Sequence, residues 1–368
     1  MKAYFKVLIP AFALILFTRC DQEQVPTDPI KIPDQSFQDA LLDGTLDENG
    51  ELQIIDTNGD GMISYAEAEA VSFLDVSDKG ISDLSGIEEF INLEYLFCFN
   101  NQLTILDISD NQGLVELNCW NNKLSQLDVS NNAELRELDC ANNQLFNLNV
   151  SNITVLRGLN CDYNRLTSLD VSHNDSLDWL FCRDNLIFAL DITSNDSLWT
   201  LDASNNPLTA LDVSNNSKLA YLTCESCVLS SLDVSENPAL HTLKCGDNRL
   251  TTLDLSDNRE LVNLYCENNQ IATLNISFNS KLIDLYCAHN QISSLSLNNK
   301  LWLRHLYCGY NQIPSLDISN NYNIWILDVT EMPTLAEVCV WEESFPPEHI
   351  WVNSGGSPNV YFTTACSK

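Results

Sequence analysis

From residue 71 onward, apolar positions recur on two scales at once. Within each short stretch they alternate, as in Leu117-Asn118-Cys119, and the whole arrangement returns with a fixed period. Alternation places Leu and Cys on one face of an extended segment and the residue between them on the other. The cysteines mark the period. Cys98, Cys119, Cys140, Cys161 and Cys182 stand at equal intervals, and Ala203 takes the next place. Cys224, Cys245, Cys266, Cys287 and Cys308 follow at the same 21-residue spacing. Val329 holds the slot after them, and Val76 the slot before the first, offset by 22, so thirteen turns run from Val76 to Val329. One such turn cannot bury its apolar face alone, whereas stacked turns share a continuous core. At a strand spacing of about 4.8 Å, twelve steps predict a rod roughly 58 Å long.

The turn from Leu114 to Glu134 reads LVELNCWNNKLSQLDVSNNAE. Leu114, Leu117, Cys119, Asn122 and Leu124 fall at L-x-x-L-x-C-x-x-N-x-L, which resembles the leucine-rich repeat. The match covers roughly residues 71–335. The second half of each turn, L-D-V-S-x-N, carries Asp, Ser and Asn where a helix would prefer Ala, Leu or Lys, and reads as extended or turn-like. The chain thus resembles the short-repeat surface proteins of Bacteroidetes-type bacteria more than repeats with helical backs. The resemblance implies a mostly β leucine-rich-repeat solenoid with a parallel strand ladder and a small helical N-terminal cap. Asn122, Asn143, Asn164, Asn185 and Asn206 form a column, continued by Asn248, Asn269, Asn290 and Asn311, and a buried amide there can satisfy turn backbone groups. The cysteine column reads as buried thiols acting as small hydrophobes. Cys224 and Cys227 make a C-x-x-C, but Cys224 belongs to the core column and Cys227 stands where the column asparagine would, which argues against a redox motif.

Residues 1–20, MKAYFKVLIPAFALILFTRC, have a charged start and an apolar run too short to span a bilayer, the pattern of a signal peptide. Cys20, followed by acidic and polar residues, resembles the lipidated cysteine of bacterial lipoproteins, although Arg19 replaces the usual small residue. Residues 21–33, with Pro26, Pro29 and Pro33, read as a tether. Residues 34–70 form an N-terminal cap, in which Phe37, Leu41 and Leu42 suggest a short amphipathic helix. Within it, DTNGDGMISYAE from Asp56 to Glu67 matches the EF-hand calcium loop. That match implies one structural calcium ion held by Asp56, Asn58, Asp60, the Met62 carbonyl, Ser64 and Glu67, with Gly61 at the sharp turn. The period breaks after Val329, and residues 336–368 resemble the C-terminal cap of the same bacterial family. Cys339 and Cys366 lie outside the ladder and are expected to pair in an oxidising compartment.

The chain carries a net charge of −33, so nucleic acid is a poor partner and cations or basic protein patches are better ones. The five histidines fall in unrelated columns, and no nucleophile–base arrangement, zinc motif or phosphate loop is present; the sequence predicts a binding protein, not an enzyme. Asp107, Asp128, Asp170, Asp191, Asp212, Asp233, Asp254 and Asp317 form an outward column of like charges. The outward residues of the predicted strands are rich in aromatics. Tyr95, Phe97 and Trp120 gather near the start, Trp179, Phe181 and Trp199 in the middle, and Tyr265, Tyr286 and Tyr307 near the end. These residues mark a ligand-binding face suited to a protein partner or to a glycan, although aromatic stacks can equally serve the sheet itself. The expected molecule is a monomeric cell-surface or secreted adhesion module that touches membrane only through its lipid. Glycan capture and a purely structural envelope role are the alternatives.

Overall fold

The computed structural model describes residues 28–47 and 49–366. The leader, Cys20 and the first part of the tether lie outside the described residues. Two short strands, Phe73–Asp75 and Tyr95–Phe97, are followed by one in every turn from Glu116–Asn118 to Ile326–Asp328. With a final strand, Trp351–Asn353, they form a fourteen-stranded parallel sheet. The register never slips: Leu96 pairs with Leu117, Leu117 with Leu138, and the same alignment holds to the end of the ladder. A slip of one residue would turn every leucine to solvent, so burial of one face fixes the register. The central leucines and the column cysteines are fully enclosed, and the eleven described cysteines outside the terminal pair are free thiols. Burial raises their pKa and keeps them protonated.

Each turn leaves the strand through a residue with φ near +50°, from Asn100 and Asn121 to Tyr310 and Glu331. Asparagine tolerates this left-handed region better than most residues, which accounts for its frequency there. The buried column asparagine then closes the turn. Asn122 donates from Nδ2 to the carbonyls of Cys98 and Cys119, each at 3.0 Å, and accepts from the Leu103 N–H at 3.0 Å. One side chain therefore ties two successive turns together. At Cys227 the device is missing: its thiol reaches the Ala203 carbonyl at 3.5 Å, and the Leu208 N–H turns to the Asn206 carbonyl instead.

A second asparagine ladder runs along the other side of the core. Asn132 donates to the carbonyls of Ile108 and Asn111 at 3.0 and 2.9 Å, and Asn174, Asn195, Asn216, Asn237, Asn258 and Asn279 repeat the pattern. Their Oδ1 atoms accept no bond from the described residues. Ile153 and Lys300 occupy two rungs of this ladder. Lys300 is enclosed there, its ammonium meeting only the Asn298 carbonyl at 3.3 Å, and burial lowers its pKa.

The back of the solenoid is a run of turns with little strand. Three short segments, Ser315–Asp317, Glu337–Cys339 and Tyr361–Thr363, form its one back sheet among the described residues. The outward aspartates act locally. Asp107, Asp128, Asp170, Asp191, Asp212, Asp233, Asp254 and Asp317 each accept from the N–H two residues on, at 2.9–3.1 Å. Along Asp107, Asp170, Asp191, Asp212 and Asp254 these bonds lower the pKa; for Asp107, Asp191, Asp212 and Asp254 they do so against the repulsion of neighbouring carboxylates. The column closes turns, a local use that charge counting along the chain does not show.

Helix α1, Gln35–Asp43, begins at Asp34, whose Oδ1 accepts the Phe37 N–H at 3.1 Å. The other oxygen of Asp34 accepts from the N–H and hydroxyl of Ser82, so the helix cap also fastens the cap to the first repeat. Of the expected tether, residues 28–30 are part of this fold: the Ile30 N–H donates to the Ile63 carbonyl at 2.8 Å and its side chain is buried. At the other end the period lengthens, yet Val352 still pairs with Leu327. The C-terminal cap is thus one more turn of the ladder, and a disulfide joins Cys339 to Cys366 with their Cα atoms 5.4 Å apart.

Candidate interaction face

Parallel strands in perfect register force like residues to stack. Tyr265, Tyr286 and Tyr307 succeed one another at 4.5 and 4.3 Å between ring centroids, nearly parallel, and Lys244 sits 5.2 Å over the first ring. All three are half-buried. Burial raises the Tyr286 hydroxyl, reinforced by Tyr307 and Tyr265 beside it. Beside this stack His305 meets Asp284 at 2.6 Å. Tyr95 and Phe97 flank Leu96 on the same face and pack against Phe73, at 5.9 and 5.2 Å. Trp120 stacks on Phe99 at 5.8 Å, 13° from parallel.

Trp179 lies against Phe181 at 5.2 Å and also spreads over Gly158 on the adjacent strand, where an added Cβ would collide with the indole. Trp199 does not join them. It stands just before its strand, on the flank, and meets Tyr221 edge-on at 5.0 Å; Tyr221 continues to His241 at 5.6 Å. The expected middle cluster is therefore two clusters, because Trp199 falls one residue outside the strand Thr200–Asp202.

A concavity of about 490 Å³ opens at the rim where the strands end, between Trp120 and Tyr163. Asp139, Asn142, Asn160 and Asp162 line it. Asp139 accepts from the Ala141 N–H at 3.0 Å and from the Asn160 amide at 3.1 Å, and Asp162 accepts from the Arg183 N–H at 2.6 Å. Burial raises both carboxyls despite these bonds, Asp162 to about 7, with Asp202 and Asp139 adding to the effect. The Arg183 guanidinium lies 5.6 Å over the Tyr163 ring and pairs with Asp184 at 2.8 Å. The sequence hid this pocket. Tyr163 occupies the left-handed turn column, where asparagine sets the pattern, and Asp162 is one acid among many.

In the candidate calcium loop the oxygens meet the loop's own N–H groups. Asp56 accepts from Gly59 at 2.8 Å and Gly61 at 3.0 Å, and Asp60 accepts from Met62 at 2.9 Å. Glu67 accepts from Thr57 through one oxygen and from the Ser64 N–H and hydroxyl through the other, which also caps helix α2, Tyr65–Glu69. Burial opposes ionisation of Glu67, but the bonds from Ser64, Thr57 and Asn58 outweigh it and hold its pKa at about 2. No cluster of three or more His, Cys, Asp or Glu suited to a metal occurs among the described residues. The set is nonetheless chemically apt: hard oxygen donors, a carboxylate fixed in its charged form, and glycines with φ of 71° and 79° at Gly59 and Gly61.

A parallel ladder of short, equal turns with stacked thiols defines a leucine-rich-repeat protein. Among solved structures, the chain is 30% identical to the functional domain of InlJ from Listeria monocytogenes, which includes a cysteine ladder; the match covers 85% of this chain and 77% of that one, with a TM-score of 0.67. An internalin, inlF, from the same organism aligns at 22% identity over 89% and 97% of the two chains, with a TM-score of 0.75. A leucine-rich-repeat protein of Leptospira interrogans aligns at 22% over 82% and 87%, with a TM-score of 0.68. No family model and no curated protein sequence matches the chain. The chain belongs to the internalin-like leucine-rich-repeat proteins.

Proposed function

We propose that this protein is a non-enzymatic binding module that recognises a protein partner through the strand-lined face. The observation that carries this reading is the set of half-buried aromatics held in register on that face, above all the tyrosine stack of Tyr265, Tyr286 and Tyr307. Solenoids offer extended surfaces of this kind to partners. Aromatic anchors supply contact area at low entropic cost, and a net charge of −33 favours a basic partner. The leader and Cys20 support delivery to the cell envelope as a lipoprotein; no described helix is long and apolar enough to cross a membrane. Calcium bound by Asp56, Asn58, Asp60, Met62, Ser64 and Glu67 would brace the N-terminal cap against the first turn.

The test is a binding screen of the purified chain against arrayed matrix proteins and glycans, with calcium present. A protein hit weakened by salt and by Tyr286→Ala supports the reading, whereas a glycan hit indifferent to salt overturns it in favour of carbohydrate capture. Calorimetric titration checks the ion: heat from micromolar to millimolar calcium that disappears in Glu67→Gln is expected, and its absence in the unaltered protein sinks the site.

A further inference from the structure

We propose that the concavity between Trp120 and Tyr163 receives an arginine side chain of the partner, its guanidinium lying between the two rings and bonded to Asp139 and Asp162. The proposal rests on the strand-lined face being the binding surface, and it assigns one subsite of that face a chemistry.

The walls suit a flat cation. Trp120 and Tyr163 are the two aromatic residues that line an opening of about 490 Å³, large enough for a long side chain with its solvent. A guanidinium is planar, weakly hydrated and stacks on aromatic faces more readily than an ammonium does. The protein already makes such contacts, and one of them is at this site, where the Arg183 guanidinium lies 5.6 Å over the Tyr163 ring.

The floor suits a cation more than a sugar. Two carboxylates line the opening and no basic residue does. Arg183, the neighbouring cation, has its Nε committed to Asp184 at 2.8 Å. Asp139 is oriented by the Ala141 N–H and the Asn160 amide, and Asp162 by the Arg183 N–H, which leaves carboxylate lone pairs for a ligand. Burial disfavours the charge on both; Arg183, outside the lining, offsets it only in part for Asp162. A neutral ring placed here would desolvate them further, whereas a bidentate guanidinium would compensate them.

The probe is N-acetyl-argininamide, titrated into the purified chain while the Trp120 indole N–H resonance is followed; Trp120→Phe identifies that resonance. N-acetyl-citrullinamide, the neutral analogue of the same shape, and a neutral monosaccharide are the controls. The expected result is a saturable millimolar shift with argininamide that citrullinamide does not produce. Asp162→Asn and Tyr163→Asn should each weaken it by about tenfold. Tyr163→Asn keeps a residue that the turn accepts, as Asn142 shows one turn earlier, so its loss of binding would not reflect misfolding. No shift with argininamide in the millimolar range, or an equal shift with citrullinamide or the sugar, overturns the proposal. Because the probe is independent of any partner, the pocket and the face fail separately. An array hit untouched by the pocket variants removes the pocket alone, and argininamide binding with a silent array removes only the face.

Discussion

At the scale of single residues, the fold is governed by where buried amides find partners. Asn269 donates to the carbonyls of Cys245 and Cys266 and accepts from the Leu250 N–H. Asn269→Ala orphans that N–H and removes one of the two amide donors on each carbonyl, Asn248 and Asn290 keeping the other, and should lower stability by about 1–3 kcal/mol in urea unfolding. Lys300 presents the opposite case, a cation enclosed in a rung that asparagine fills elsewhere. Lys300→Asn should raise stability by about 1–2 kcal/mol, since it removes a buried charge and restores two hydrogen bonds. Asp162 gives the residue scale a pH signature. Its pKa rises in the fold from 3.8 to about 7, where Asp139 and Asp202 repel its charge, the Arg183 cation attracts it, and burial dominates. The folded chain therefore keeps a proton that the unfolded chain releases, so this carboxyl costs stability as pH climbs from about 4 to about 7. Asp162→Asn should raise the urea midpoint near pH 8 and leave it unchanged near pH 4; an equal gain at both would contradict the assignment.

At the scale of elements, the cysteine spacing carried most of the architecture, because a constant short period with Leu-x-Cys alternation admits one stacking. The first asparagine column was legible for the same reason. The second was only half visible: Asn132 and Asn174 repeat plainly, but Ile153 and Lys300 interrupt the rungs, and the bonds they make cross between turns that no local pattern connects. Trp199 was grouped with Trp179 because spacing alone cannot separate the last flank residue from the first strand residue. The extra turn at the C-terminus was hidden by the longer step that leads from Leu327 to its partner Val352. That turn is closed by the bond between Cys339 and Cys366 across a separation of 27 residues. Loss of the bond in the double variant Cys339→Ala, Cys366→Ala should destabilise the cap by roughly 3 kcal/mol. Hydrogen exchange would show it as faster exchange confined to residues 336–366, with the ladder before Ile326 unaffected.

At the scale of the molecule, one face differs from the rest. The back spends its aspartates on its own turns, and the core spends its amides and thiols on stacking. The strand-lined face carries aromatics in register, with carboxylates that burial disfavours at its rim. The flank also exposes apolar residues, Phe146 and Phe188 among them, so exposure by itself does not single out the binding surface. The measurement that separates the two surfaces is the dissociation constant of the strongest protein ligand from the array for the unaltered chain, Tyr286→Ala and Phe188→Ala. The account predicts that Tyr286→Ala weakens binding by about tenfold or more while Phe188→Ala leaves it unchanged. Binding that survives Tyr286→Ala and is lost in Phe188→Ala would contradict it and move the interaction surface to the flank.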